Sequence, residues 1–398
     1  MEKLIVRVPK EINYVEVFVL TTLLFPILTN TPDNDYVNKI VFGVLIVEYL
    51  LLVFQKGMSK RSFALIVIML VNYVFALTQT SFPMQYNLNL LFYYPYMVLY
   101  TTFVLDYSLL IRECFIKNKN FVLIVINVWT IVTGISILLP SSYYVKEAGS
   151  LYFGSLSGTI FRLGPSAMFI VALIMISMSF YGKKQYIFYA IIPMYCFFMG
   201  SSRIYFFIGI CLFIVMWYWF AAEKKYFYLS IILLSILALF LIFNSSIGDK
   251  ILYTLDASNS GDFWYRVTSS RSYFWAKLIN AWVNQPLLNK LFGSGIEYSN
   301  QVIGLWAHND FLELICSFGI LGLLEYCYLM ILLLRKYFTT KIKIPLVLAI
   351  CIVSSWLINA CFNMHYVYFC ALLSYPIILC SMKEYYSDLN TKFLTGDN

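Results

Sequence analysis

The chain of 398 residues is 61% hydrophobic and only 12% charged, and its mean hydropathy is +0.77. This composition lies far outside the range of soluble domains and predicts a polytopic membrane protein. The formal charge of +8 does not indicate a nucleic-acid partner, because the basic residues form short clusters between apolar segments, as expected for a topology signal.

Apolar segments follow one another along the chain, and about twelve of them are predicted to span the membrane as helices. They cover residues 15–28, 37–54, 62–78, 88–110, 121–139, 165–181, 186–199, 204–221, 226–243, 310–334, 345–362 and 366–382. The predicted fold is therefore all-α, a polytopic bundle of about twelve transmembrane helices.

The distribution of Lys and Arg predicts the orientation of this bundle. Assigning alternate loops to opposite sides places most of the 28 basic residues on the side that holds both termini. By the positive-inside rule, that side is the cytoplasm. Three regions follow: spans over residues 1–243, an extracytoplasmic catalytic loop over residues 244–308, and the last spans with a cytoplasmic tail over residues 309–398.

The long outer loop is predicted to contain folded structure, since a structureless loop of this length is unusual in a compact protein. Phe274, Leu278 and Trp282 recur at helical spacing. This pattern predicts a helix from Ser270 to about Asn284 that lies at the membrane surface. Pro286 is expected to end it.

His308 lies where the polar end of this loop runs into an apolar helix. Gly293, Gly295 and Gly304 precede it and permit a loop that folds closely over a ligand. Asn309 or Asp310 is predicted to cap the helix that follows. Because an imidazole has an unperturbed pKa near neutrality, His308 is a candidate general base. The alternative is an ordinary loop histidine.

Arginine is enriched on the predicted outer side, relative to lysine. The outer arginines are Arg162, Arg203, Arg266 and Arg271. The planar guanidinium matches phosphate oxygens with two parallel hydrogen bonds, so this distribution favours recognition of a phosphorylated ligand. The alternative is that these side chains extend to the membrane surface or pair with Asp256, Asp262 and Glu297.

Cysteine and histidine usage predicts neither a metal site nor a disulfide framework. All nine cysteines fall in or beside apolar spans, where they are expected to act as small apolar packing residues. Two distant histidines and scattered carboxylates do not form a recognisable ligand set. We therefore expect no metal and no cofactor.

Several short motifs lie between residues 162 and 324. They are Arg162-Leu163-Gly164-Pro165, Ser201-Ser202-Arg203, Arg271 with Trp275, Pro286-Leu287, Gly293-Ser294-Gly295, His308-Asn309, Phe318-Gly319-Ile320 and Leu321-Gly322. Together they resemble the signature of the O-antigen polymerase and O-antigen ligase family. The sequence departs from that signature in carrying both Arg266 and Arg271; we place the family's loop arginine on Arg271, because Trp275 follows it.

The resemblance implies a metal-independent glycosyltransferase at the outer face of the bacterial cytoplasmic membrane, with an undecaprenyl-diphosphate-linked glycan as donor. It implies catalytic roles for His308, Arg271 and Arg203. From their residue types and positions, we expect substrate-binding roles for Arg162, Arg266, Asn309, Asp310, Glu313, Trp264 and Trp306. The expected partners are a lipid-linked glycan acceptor, membrane lipids, a chain-length regulator and a flippase.

Three functions remain open at this point. The first is a polymerase that joins lipid-linked repeat units into O-antigen or capsular polysaccharide. The second is a ligase that uses the same donor and transfers glycan to lipid A-core. The third is a transporter of lipid-linked sugars, which internal repeats and broken helices would favour, and the sequence shows neither.

The roles of the remaining polar and aromatic residues also stay open. Asp310 and Glu313 share one helix face, where they orient His308 or a substrate hydroxyl, or pair with an arginine. Glu325 lies in mid-span, where an ionisable group is costly and commonly functional. The tryptophans of the long loop either stack on sugar rings or lie at the membrane interface without a ligand.

Overall fold

The computed structural model describes residues 13–28, 30, 34–80, 90–145, 151–157, 160–179, 181–200, 246–255, 263–337 and 356–362, with scattered positions between 205 and 239. This part of the chain is mostly helical, with 85% of its residues in helices. The predicted spans at 204–221, 226–243, 345–362 and 366–382 lie largely or wholly outside the described residues, although residues 356–362 are helical.

Seven described helices lie at the positions of the first seven predicted spans. They are α1 (Tyr14–Leu28), α2 (Asn34–Lys56), α3 (Lys60–Gln79), α4 (Leu90–Lys117), α5 (Lys119–Ser136), α6 (Ile160–Ser179) and α7 (Ile191–Met199), the last preceded by a 3-10 turn at Lys184–Ala190. The apolar runs in the sequence predict where these helices lie, because a helix must bury or shield a continuous apolar stripe.

The long loop is folded, as predicted. It holds α8 (Ser246–Leu255), α9 (Phe263–Val267), α10 (Arg271–Val283), α11 (Leu287–Phe292) and α12 (Tyr298–Ile303), and it leads into α13 (Asp310–Tyr337). The helix predicted from Ser270 to about Asn284 is confirmed as α10. Pro286 follows it and is the N-cap of α11, where its fixed φ and missing N-H are tolerated.

Three described helices are long and apolar enough to cross a membrane. By length and composition they are α3, α5 and the Asp310–Arg335 part of α13, the last of which is interrupted at Gly319, while α1 and the Leu163–Met178 part of α6 are apolar but shorter. These helices are compatible with a membrane protein. The count of twelve spans stays a prediction.

The core forms where α1 packs against α2, α4, α5 and α6. Phe18 of α1 contacts the rings of Tyr100 and Phe103 on α4, with centroids 5.2 and 4.2 Å away. Trp129 of α5 is buried and donates its indole N-H to Ser166 Oγ of α6 at 2.8 Å. Buried aromatic groups with satisfied polar atoms hold these helices in one arrangement.

A small β-hairpin corrects the all-α prediction. Strands β1 (Tyr143–Val145) and β2 (Leu151–Phe153) pair antiparallel in the loop between α5 and α6, which the predicted topology places on the outer side. Tyr144 and Tyr152 lie opposite each other with stacked rings 5.8 Å apart. Short runs of aromatic and β-branched residues favour this pairing, and the hydropathy pattern of a membrane protein does not reveal it.

The helix predicted over residues 310–334 is not continuous, because α13 breaks at Gly319. This residue has φ 68° and ψ −169°, far from helical values. Across the break, the Tyr326 hydroxyl donates to Asp310 Oδ2 at 2.8 Å. These residues would lie about 24 Å apart along a straight helix. The first half of α13 therefore folds back beside the second half.

Neighbouring segments satisfy the backbone groups that the break releases. The carbonyl of Cys316 accepts a hydrogen bond from the backbone N-H of Ser294 at 2.9 Å. The carbonyl of Phe318 accepts one from Asn72 Nδ2 of α3 at 3.0 Å. Gly293 and Gly319 make this contact possible, since their backbones touch. Buried backbone groups need such partners when a helix is interrupted.

Replacing Gly319 with alanine is expected to destabilise the protein strongly. A Cβ there would lie 2.6 Å from the backbone nitrogen of Gly293, and φ would stay at +68°. The combined clash and strain should cost on the order of 3 kcal/mol. Gly304→Ala is the matched control, because Gly304 has φ +71° but no atom within 4 Å of the added Cβ.

The measurement is the midpoint of thermal unfolding of the two variants in detergent. Gly304→Ala should lose only roughly 1 kcal/mol, the cost of a left-handed alanine. Equal losses in the two variants would show that the backbone contact at Gly319 contributes nothing.

Candidate functional site

His308 occupies a strained turn directly before α13. Its φ is +50°, a left-handed conformation that is uncommon for residues other than glycine. Asn309 follows as the helix cap, since its Oδ1 accepts a hydrogen bond from the backbone N-H of Leu312 at 3.0 Å. Of the two predicted caps, Asn309 is therefore confirmed. Strain of this kind persists only where surrounding contacts impose it, and it is common at functional sites.

The His308 imidazole is neutral at physiological pH. Burial lowers the pKa of His308 to about 4, and the nearby Arg271 guanidinium lowers it further. Its Nδ1 atom is buried and has no hydrogen-bond partner among the described residues. A neutral imidazole with an unpartnered nitrogen beside a fixed cation can accept a proton from a bound hydroxyl or form a hydrogen bond to a ligand.

Arg271 begins α10, and a second strained turn places it there. Ser269 and Ser270 have φ values of +53° and +67°. Thr268 Oγ1 accepts a hydrogen bond from the backbone N-H of Ser272 at 3.1 Å, so the threonine caps the first turn of α10. Four described residues other than glycine have a positive φ. Three of them are His308 and the two serines before Arg271.

Contacts from the helical segment at residues 356–362 join Arg271 to the His308 turn. Arg271 Nη1 donates to the carbonyl of Phe362. Asn309 Nδ2 donates to the neighbouring carbonyl of Cys361 at 2.9 Å. Both side chains therefore contact the same stretch of backbone, which fixes one relative to the other.

Trp275 is a further link that the sequence analysis did not assign to the site. Its indole N-H donates to the carbonyl of Ala307 at 2.6 Å, directly before His308. Its ring lies 6.0 Å from that of Phe362. Trp275 is four residues after Arg271, so both project from one face of α10. The spacing of four residues between Arg271 and Trp275 is the sequence feature that could have placed Trp275 at the site.

Glu313 positions the His308 turn through the backbone. Its carboxylate is 2% exposed and accepts hydrogen bonds from Ser299 Oγ at 2.7 Å, Ser317 Oγ at 3.2 Å and the backbone N-H of Ala307 at 3.1 Å. These donors come from α12, α13 and the His308 turn. Glu313 therefore connects three segments, and it satisfies a buried carboxylate entirely with neutral donors.

The structure places several other predicted site residues away from direct contact with solvent. Asp310 is fully buried and accepts from Tyr326. Arg266 is 8% exposed, and its Nε donates to the carbonyl of Thr254 at 3.3 Å. Trp306 packs against the main apolar core, whereas Trp264 is 63% exposed. Trp264 is therefore the tryptophan of this group that a soluble sugar can reach.

Two predicted site residues are not described. Arg203 lies outside the described residues, as does the side chain of Arg162, whose backbone is in the first turn of α6. Within the described part, no group of three His, Cys, Asp or Glu side chains is arranged to hold a metal ion.

The described geometry defines a mostly helical protein with membrane-compatible helices and a site at the start of α13. The site combines a neutral histidine, an arginine and the indole ring of Trp275. Comparison of the sequence with protein-family models and with curated proteins finds no match to either.

Proposed function

We propose that this protein is a polymerase that joins undecaprenyl-diphosphate-linked oligosaccharide repeat units into O-antigen or capsular polysaccharide. The observation that supports it best is the pairing of His308 with Arg271. A half-buried neutral imidazole, with a buried nitrogen that has no partner among the described residues, lies within electrostatic range of a guanidinium, and strained backbone places both.

In the proposed reaction, His308 accepts the proton of an acceptor sugar hydroxyl as its oxygen forms a bond to the anomeric carbon of the donor. The bond between that carbon and the lipid diphosphate breaks, and the diphosphate leaves with the bonding electrons. Arg271 stabilises its developing charge. Arg203, Arg162 and Arg266 provide further positive charge for this anion. Asn309, Asp310, Glu313 and Trp306 shape the site, and Trp264 stacks on a sugar ring.

Binding of the anionic donor is also expected to change the pKa of His308. Arg271 is one of the two causes that lower the pKa of His308. A bound diphosphate offsets the guanidinium charge, so the pKa of His308 rises towards the operating pH when the donor is present. The base therefore becomes stronger in the complex than in the free protein.

The proposed setting is the outer face of the bacterial cytoplasmic membrane, with about twelve spans and both termini in the cytoplasm. A reporter that is active only outside the cytoplasm should work when fused near Asn259. It should fail when fused near Lys224 or after Lys383. Activity of the Lys224 fusion would place the His308 site on the cytoplasmic side and contradict the proposal.

The function is tested with purified protein, a lipid-linked repeat unit and excess chelator. We expect a ladder of lengthening lipid-linked products on a gel, and its formation in chelator would agree with the absence of a metal requirement. A product that forms only when lipid A-core is added would identify a ligase. No transfer with either acceptor, with or without Mg²⁺ or Mn²⁺, would reject glycosyl transfer.

A transporter of lipid-linked sugars is the second candidate, and the break in α13 favours it. Discontinuous helices with polar residues beside the break are typical of secondary transporters. Gly319 interrupts α13, and Asn72 and Glu325 are buried beside it. The assay that separates the two is movement of lipid-linked repeat units across proteoliposomes. Movement without any new glycosidic bond would favour the transporter.

A further inference from the structure

A buried polar cluster lies beside the break in α13. It consists of Asn72 from α3, Tyr94 from α4 and Glu325 from α13, which are 1%, 0% and 4% exposed. The Tyr94 hydroxyl donates to Glu325 Oε2, and its oxygen is 3.4 Å from Asn72 Nδ2. A carboxylate and an amide therefore meet at one phenol oxygen. The Tyr94 ring also stacks on Phe318, 4.1 Å away, directly before the break.

Two oxygen atoms of this cluster have no hydrogen-bond partner among the described residues. They are Glu325 Oε1 and Asn72 Oδ1. An amide oxygen and an ionised carboxylate oxygen are both acceptors, so neither can satisfy the other. Native structures leave few buried polar atoms without partners, and each such atom requires an explanation, such as an ion.

The negative charge of the cluster also favours a bound cation. Within the described part of the chain, Glu325 forms no ion pair, and a buried carboxylate without one is strongly unfavourable. The first half of α13 ends at Phe318, so the negative end of its helix dipole is added to the cluster. Asn72 Nδ2 bonds the Phe318 carbonyl, which turns the amide oxygen away from that carbonyl.

We infer that this cluster binds one small monovalent cation, a proton or Na⁺, at Glu325 Oε1 and Asn72 Oδ1. A single positive charge satisfies both acceptors and neutralises the buried carboxylate. Carboxylate, amide and phenol oxygens are hard ligands, which suit Na⁺ and not the transition metals. Ends of interrupted helices bind Na⁺ and H⁺ in the same way in membrane transporters. The inference does not depend on the proposed polymerase activity, since it involves neither His308 nor Arg271.

The test is the thermal unfolding midpoint of the purified protein in detergent, with Na⁺ exchanged for N-methylglucamine at constant ionic strength. A Na⁺ site should raise the midpoint of the wild type by roughly 2 °C for each tenfold increase in Na⁺ concentration above the dissociation constant. Glu325→Gln replaces the charge with an amide that can donate to Asn72. This variant should be stable without Na⁺ and should no longer respond to it.

Glu48→Gln is the matched control. Glu48 of α2 is also buried, with one carboxylate oxygen bonded to Thr21 at 2.8 Å and the other without a partner. It contacts neither Asn72 nor Tyr94 through any described hydrogen bond, so this variant should keep the full response. Tyr94→Phe keeps the ring on Phe318 and removes the hydroxyl, so it should weaken the response without disrupting packing.

A second series measures the unfolding midpoint without Na⁺ between about pH 8 and pH 5.5, and it tests whether the bound cation is a proton. Acidification should then stabilise the wild type and Glu48→Gln by a similar amount, whereas Glu325→Gln should keep only the smaller response of its remaining carboxylates, Glu48 among them. Among the described residues, Tyr94 of the cluster is the titratable group bonded to Glu325, and Tyr326, beside Glu325 on α13, donates instead to Asp310. A wild type that responds to neither cation, or equal responses in both glutamine variants, would overturn the inference.

Discussion

A His308→Ala variant is expected to transfer glycan roughly 10² to 10⁴ times more slowly than the wild type, because it lacks the proposed general base. Raising the pH should recover part of this loss by ionising more of the acceptor hydroxyl or of water. The measurement is the single-turnover rate of glycan transfer by purified protein across a range of pH. The residue lies outside the apolar spans, so the variant should insert at normal levels. Wild-type rates in this variant would remove His308 from the mechanism.

His308→Asn separates chemistry from backbone strain. Asparagine tolerates the left-handed φ of +50° better than alanine, and it keeps a polar side chain. It is not a base at neutral pH. If the role of His308 is to hold the turn, His308→Asn should keep most of the rate. If His308 accepts a proton, both variants should be slow and both should recover with rising pH.

The acidic limb of the wild-type pH profile gives an independent check. Burial and Arg271 lower the pKa of His308 to about 4, so the unprotonated base predominates above that pH. The value of kcat/KM reports the free enzyme, and it should fall only as the pH drops towards about 4. A limb at the ordinary histidine value of about 6.5 would mean that the imidazole is solvated and not buried.

Helix positions could be predicted because they follow from the sequence locally. Apolar runs located α1 to α7, and the spacing of Phe274, Leu278 and Trp282 located α10. The start of α13 followed from the capping chemistry of Asn309. Each of these signals is contained within a few helical turns, so no tertiary information is needed to detect it.

The break in α13 was not predictable in this way. Gly319 lies within a continuous apolar run, and hydropathy does not respond to one residue with a positive φ. What stabilises the break comes from distant segments, namely Ser294 and Asn72. For the same reason the glycines near His308 were assigned to ligand binding, whereas Gly293 allows close contact with the broken helix.

The partners of the buried carboxylates also depend on tertiary contacts. Tyr94 precedes Glu325 by 231 residues, and no local pattern links them. Glu313 was expected to act on His308, a substrate or an arginine, and its described hydrogen bonds go to two serines and the Ala307 backbone. The sequence placed Glu325 in mid-span, but which groups bond Glu313 and Glu325 depends on segments that only the fold brings together.

An Arg271→Lys variant is expected to lower the rate of glycan transfer by roughly 10² to 10³, because lysine keeps the charge but loses the planar fork that binds two phosphate oxygens. Raising the pH should not rescue it. Arg335→Lys is the matched control, since Arg335 is exposed at the far end of α13. A wild-type rate in Arg271→Lys would mean that the guanidinium serves only to bind the Phe362 carbonyl, a contact that a lysine ammonium can replace.

The electrostatic coupling of Arg271 to His308 makes a second comparison possible. Arg271 lowers the pKa of His308 through its positive charge, which Arg271→Lys retains and Arg271→Gln removes. The acidic limb of kcat/KM should therefore stay in place in the lysine variant and move to higher pH in the glutamine variant. The shift should stop short of the ordinary histidine value, because burial is the larger cause and remains. If the two variants lose activity but share one pH profile, Arg271 contributes to donor binding without acting on the base.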